Sequence, residues 1–170
     1  MIRQLSAGII FLSALSVTAQ SPVTSLTSQL IRLEGNKSFT LKVLQGYTIK
    51  PAVEGLKRPR FFAKSPDGRL FVTDLYDKTD NKKGKIYILD DWNEQTKTFM
   101  QVITYLQDLH NPNQVAFYTV NGQHYLYVAE TGKLSYYPYM PGDNKPSAPA
   151  KQIATFPDYG LSYKYGGWHL

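Results

Sequence analysis

One stretch of this chain occurs twice, and that repeat limits the fold more than any single residue does. EGLKRPRFFAKSPDGRLFVTD, residues 54–74, returns in altered form as QDLHNPNQVAFYTVNGQHYLYVAE, residues 107–130. Leu56 is matched by Leu109 and Pro59 by Pro112, each 53 residues further on. Asp67-Gly68 is matched by Asn121-Gly122, and Leu70-Phe71-Val72 by Leu126-Tyr127-Val128. Asp-Gly and Asn-Gly tolerate the positive φ of a tight hairpin, and the alternation of apolar and polar residues after each predicts a half-buried strand. A third and a fourth strand are predicted after each copy, at 84–89 and 98–105 and again at 132–137 and 151–156.

Four antiparallel strands that restart at intervals of roughly 40–50 residues are the pattern of a β-propeller blade. A β-sandwich also needs short, evenly spaced strands, but it gives no reason to restart the same turn and strand. The expected fold is all-β: one blade over 47–106, a second over 107–157, and the start of a third at 158–170. Upstream, 39–43 and 47–53 read as short strands, and 20–38 as a loosely held polar lead-in. Propellers close with about four to eight blades. Two blades leave sheet edges and apolar faces open, so the natural protein is expected to be longer than this chain.

Residues 1–19 have the form of a secretory signal peptide cleaved before Gln20, with Arg3, an apolar run at 7–17 and small residues up to Ala19. The run is shorter than the roughly 20 residues of a spanning helix, and no later segment is apolar enough to span. A secreted or periplasmic chain without a membrane span is therefore expected. It has no cysteine, so neither disulfides nor a lipid-anchored cysteine can hold it. Its 13 Tyr, 8 Phe, 12 Gly and 10 Pro suit aromatic strands broken by turns. The net charge of +6 raises the question of an anionic partner. Its densest basic run, KTDNKKGK at 78–85, contains Asp80 and reads as a solvated loop tip rather than a phosphate-binding patch. No nucleic-acid partner is expected. Asn36-Lys37-Ser38 fits a glycosylation sequon, which matters only in a eukaryotic secretory pathway.

Familiar catalytic signatures are absent: there is no H-E-x-x-H, G-x-S-x-G, P-loop or G-x-G-x-x-G. What the chain does carry is GLKRPRFFAKSPDGRLFVTD, GKIYIL, DLHNPNQVAF, YLYVAETGKLSYYPYMPGD and a terminal YGGWHL. Together these runs resemble the N-terminal part of the glucose and sorbosone dehydrogenase family, over roughly residues 46–170. The P-D-G-x-L-[FY]-V turn is shared with other propellers, whereas the passage through YYPYMPGD into GGWHL is more specific. The resemblance implies a six-bladed soluble quinoprotein that uses pyrroloquinoline quinone (PQQ) with calcium. It would oxidise a sugar, an aldose or sorbosone-like substrate, and pass electrons to an external acceptor. His169 matches the family's general base, which takes the hydroxyl proton as hydride leaves for the quinone. Trp168 would then wall the cofactor, and Gly166-Gly167 would allow close backbone approach. On the residues alone His169 is equally an ordinary residue near a chain end. The family's calcium ligands and most of its PQQ contacts fall beyond Leu170, so no cofactor ligand or metal ligand is assigned, and this stretch alone is expected to be inactive.

Other candidates read as structural. His110 occupies a Leu-His-Asn-Pro turn where the first copy has Lys57, and His124 follows the Asn121-Gly122 hairpin at an exposed position. The acidic residues Asp74, Asp77, Asp80, Asp90 and Asp91 lack the spacing of a calcium loop and read as polar loop content. Two alternatives to the dehydrogenase stay open. One is a non-catalytic propeller that binds a glycan or a protein through Tyr136, Tyr137, Tyr139, Tyr159, Tyr163 and Tyr165. The other is a calcium-dependent lactonase-like propeller.

Overall fold

The computed structural model describes residues 25–156, among which every regular element is a strand. The strands β1 (Leu26–Leu33) and β2 (Lys37–Leu44) form a separate two-stranded sheet. Four strands follow in sequential antiparallel order: β3 (Pro59–Lys64), β4 (Leu70–Asp74), β5 (Gly84–Asn93) and β6 (Thr98–Leu109). A second sheet repeats that order with β7 (Gln114–Val120), β8 (Gln123–Glu130), β9 (Lys133–Tyr139) and β10 (Lys151–Thr155). Each copy of the sequence repeat thus supplies the first two strands of its own four-stranded meander.

The two hairpin turns differ in a way their sequences explain. Asn121 and Gly122 both take positive φ (50° and 78°), and Val120 pairs with Gln123, a two-residue turn whose twist matches the flanking strands. In the first copy Pro66 holds the preceding position at negative φ, so only Gly68 is positive (90°) and the loop has three residues between Ser65 and Arg69. Asp67 is consequently not a left-handed residue. It is freed to point its carboxylate elsewhere.

The core lies between the two meanders. Ala63, Phe71, Ile88 and Ile103 face each other across β3 to β6, and Phe117, Leu126 and Tyr137 do so across β7 to β9. Phe71 is fully buried, with the rings of Phe117, Tyr105 and Tyr139 edge-on at 4.9, 5.0 and 5.7 Å. Edge-to-face pairs of this kind add about 0.5–1.5 kcal/mol each beyond burial. The sheets come closest where β3 and β4 meet β7. Their opposite faces mix apolar and aromatic residues with polar ones such as Lys64, Thr104 and Gln114. Phe62, Val72 and Tyr87 line the far side of the first sheet, and Tyr118, Tyr125, Tyr127 and Tyr136 the far side of the second. Phe62 is 55% exposed and Tyr118 64%.

A polar clasp joins the two sheets at the end carrying the hairpin turns. Asp67 accepts hydrogen bonds from Tyr139 Oη (2.6 Å), from Gly142 N (2.8 Å) and from Ser65 Oγ. Arg69 donates to Tyr139 Oη (2.7 Å), to the Asp143 carbonyl (2.8 Å) and to Asn144 Oδ1 (2.8 Å). Burial alone would raise the Asp67 carboxyl, but the hydrogen bonds from Ser65, Tyr139 and Gly142 and the Arg69 charge outweigh it and hold it at about 2.

The N-terminal part departs from expectation. Of the lead-in at 20–38, Leu26–Leu33 is β1, and Lys37 already belongs to β2, which takes in the strand predicted at 39–43. Gly35 and Asn36 both have positive φ (70° and 58°), so this is a hairpin closed by a Gly-Asn turn. The strand predicted at 47–53 is absent. Gln29 holds that segment instead, its side chain bonding Tyr47 O (2.5 Å) and Ile49 N (2.9 Å) and using the backbone groups a strand would have paired.

Candidate functional site

Polar chemistry gathers at the opposite end of the meanders, where the connections 75–83, 110–113 and 131–132 lie. Two carboxylates organise it. Asp74, at the end of β4 and 2% exposed, accepts from the amides of Lys57 (2.7 Å), Tyr76 (2.8 Å) and Arg58 (2.9 Å). Glu130, at the end of β8 and 1% exposed, accepts from the His110 amide (2.8 Å). Lys57 and His110 are the residues the repeat aligns, so the same latch is built twice: the carboxylate ending the second strand ties down the chain entering the first. Lys133 Nζ also stands 3.1 Å from Glu130 Oε1, close enough for charge attraction although no directed hydrogen bond forms.

His110 is held on every side. Its carbonyl accepts from the Thr131 amide (3.0 Å), and its ring Nε2 contacts Asp80 Oδ1. The turn role expected from sequence is therefore its role in the fold. Pro112 in the same connection packs on Gly84, where an added Cβ would stand 2.1 Å from Pro112 Cδ and 2.9 Å from the Leu109 carbonyl oxygen. Only glycine fits beneath this crossing.

Backbone strain concentrates here too. Asn36, Lys97 and Asn121 take positive φ in hairpin turns, and Asp91 does so in the far part of β5. Tyr76 (71°), Asp108 (59°) and Asn111 (43°) do so outside any hairpin, and all three lie at this end. Such conformations cost about 1–3 kcal/mol each and persist where surrounding structure over-determines them, often beside ligands. Asp108 lines two neighbouring cavities. One, of ≈ 240 Å³, is bounded by Lys57, Asp74, Tyr76, Lys83, Lys85 and Tyr87, and the other, of ≈ 390 Å³, by Lys82, His110, Glu130 and Lys133 among others.

The remaining sequence candidates are dispersed. His124 is half-buried rather than exposed, its Nδ1 2.7 Å from Thr119 Oγ1. Of the acidic group, Asp74 is the buried latch rather than loop content. Asp77 caps its own loop through Thr79 and Asn81, and Asp90 stands 3.7 Å from Arg69 at the other end of the sheet. Tyr137 and Tyr139 are buried in the core, whereas Tyr136 stacks with Tyr125 and Tyr127 on the far face of the second sheet. His169, Trp168, Gly166, Gly167, Tyr159, Tyr163, Tyr165 and the signal-peptide segment 1–19 lie outside the described residues. Among the described residues no three His, Asp or Glu side chains converge to hold a metal ion, and no helix is long and apolar enough to cross a membrane.

These features define an all-β chain of paired antiparallel meanders with one latched, strained and lysine-lined end. No protein-family model, no curated protein and no solved structure matches it.

Proposed function

We propose that the two meanders are neighbouring blades of a β-propeller, and that the chain is the N-terminal part of an exported PQQ-dependent sugar dehydrogenase. The observation that carries the propeller reading is that both far faces carry exposed aromatic residues, Phe62 on the first and Tyr118 on the second. A two-sheet sandwich turns polar residues outward, whereas a blade is covered on both sides by its neighbours. Close approach at β3 and β7, the first strands of the two sheets, is consistent with radial packing. The dehydrogenase reading rests on the quoted motifs, since no family model supports it. It gains from the clasp, because YMPGD, part of the more specific stretch, is the loop that docks on the Asp67 turn.

In this reading His169 accepts the proton of the sugar hydroxyl, and the sugar, PQQ and calcium sites are completed by residues beyond those described. Among the described residues no group of three metal-ligating side chains comes together. The test is reconstitution of the protein encoded by the natural gene with PQQ and calcium, followed by aldose-dependent reduction of an artificial acceptor. Turnover that is lost in His169→Gln supports the reading. A folded protein without turnover on any aldose refutes it. Glycan binding without turnover in that protein would favour the non-catalytic alternative.

A further inference from the structure

We infer that the cavity between Lys57, Lys83 and Lys85 is a binding site for a small oxyanion, a carboxylate- or phosphate-bearing molecule. The inference does not depend on the propeller or the dehydrogenase reading. Three ammonium groups line one cleft of ≈ 240 Å³, and none of them has a carboxylate of the described residues within 4.0 Å. Like charges gathered in one cleft repel one another, and an anion placed among them relieves that repulsion. Asp74 turns its two oxygens onto the amides of Lys57, Arg58 and Tyr76 rather than onto a lysine. With Asp108 it makes two carboxylates on the wall against three lysines, and Asp77 acts on Lys83 from outside it.

Two of the lysines are fixed by aromatic rings. Lys83 Nζ lies 4.9 Å from the Tyr76 ring centroid, and Lys85 Nζ 5.8 Å from that of Tyr87. These contacts orient the stems and reduce the side-chain entropy lost when a ligand binds. Tyr76 is itself held at positive φ with its amide on Asp74, so the ring that steers Lys83 is set by the latch. The cavity size suits a small molecule, not a polymer. The basic run at 78–85 is thus divided by the fold, with Lys83, exposed, and Lys85, half-buried, both on the cleft wall.

Calorimetric titration of the full chain at low ionic strength with inorganic phosphate, with glucuronate and with neutral glucose tests the site. Saturable binding of phosphate assigns a phosphoryl ligand and binding of glucuronate a sugar carboxylate; either supports the site, provided glucose does not bind comparably. Lys83→Met and Lys85→Met keep the stems over the rings and remove the charge, and each should weaken binding by about tenfold or more. Lys42→Met, on the exposed surface of β2, should change nothing. Far-UV circular dichroism establishes that each variant is folded. Absence of saturable binding in folded wild type, glucose bound as well as glucuronate, or affinity unchanged in both cleft variants would overturn the site.

Discussion

Replacing Gly84 by alanine should destabilise the chain through one identifiable collision. The new methyl would sit 2.1 Å from Pro112 Cδ, 2.8 Å from Pro112 Cγ and 2.9 Å from the Leu109 carbonyl oxygen. The proline ring is not a flexible tip that swings aside, and the carbonyl belongs to backbone leading out of β6. Relief therefore requires the 110–113 crossing to lift. Overpacking of this kind costs typically 1–3 kcal/mol, and the backbone partner puts Gly84→Ala at the upper end, about 3. Against this, alanine restricts the unfolded chain and returns about 0.4–1 kcal/mol, leaving a net loss of about 2 kcal/mol. For a chain of this size that is a fall in Tm of roughly 4–8 °C. Urea unfolding followed by tryptophan fluorescence measures it, and a double-mutant cycle with Pro112→Ala assigns it. Removing the ring should recover about half, since the Leu109 contact remains. A Gly84→Ala protein as stable as wild type, or no coupling to Pro112, would refute the reasoning.

The clasp predicts an acid-sensitive stability. Asp67 falls from 3.8 in the unfolded chain to about 2 in the folded one, and its carboxylate is only 19% exposed. A depressed carboxyl stabilises above its unfolded value and stops doing so as pH falls through its folded value. Asp67→Asn should therefore lose about 2 kcal/mol at neutral pH, with the deficit shrinking between about pH 4 and pH 2; a deficit constant across that range would show that Asp67 acts by shape rather than charge. Tyr105 gives an opposite expectation. Its hydroxyl is buried without a hydrogen-bond partner among the described residues, and burial pushes the phenol well up. Because an unmet buried hydroxyl is unfavourable, Tyr105→Phe should leave stability unchanged or raise it by up to about 1 kcal/mol. A measured loss above that size in thermal unfolding contradicts it.

Much of this architecture is legible in the sequence because it is written twice. The match of Lys57 with His110 anticipated equivalent positions, and the strands at 84–89 and 98–105 begin where β5 and β6 begin. Three things escaped. The first hairpin was hidden because the Ser- and Thr-bearing segment reads as polar, although Gly35-Asn36 is a strong turn signal that could have found it. The latch depends on the third dimension: an acid ending a strand looks the same whether it meets solvent or three amides. The lysine cleft is a product of chain crossing, since Lys57 and Lys85 are separated by a whole hairpin and meet only when β4 pairs with β5. The candidate base His169 stays legible in the sequence alone.

The latch and the clasp also differ in how far along the chain they reach. Asp74 and Glu130 fasten partners 16 to 20 residues away, whereas the Asp67 and Arg69 contacts span 70 to 75. Closing a short loop loses less entropy than closing a long one. Each meander can therefore seal its own entrance before it knows its neighbour, and the two sealed sheets dock afterwards. Amide exchange should reflect that order, with the Lys57 and His110 amides outlasting that of Gly142. A chain built this way extends by adding finished units to an open face.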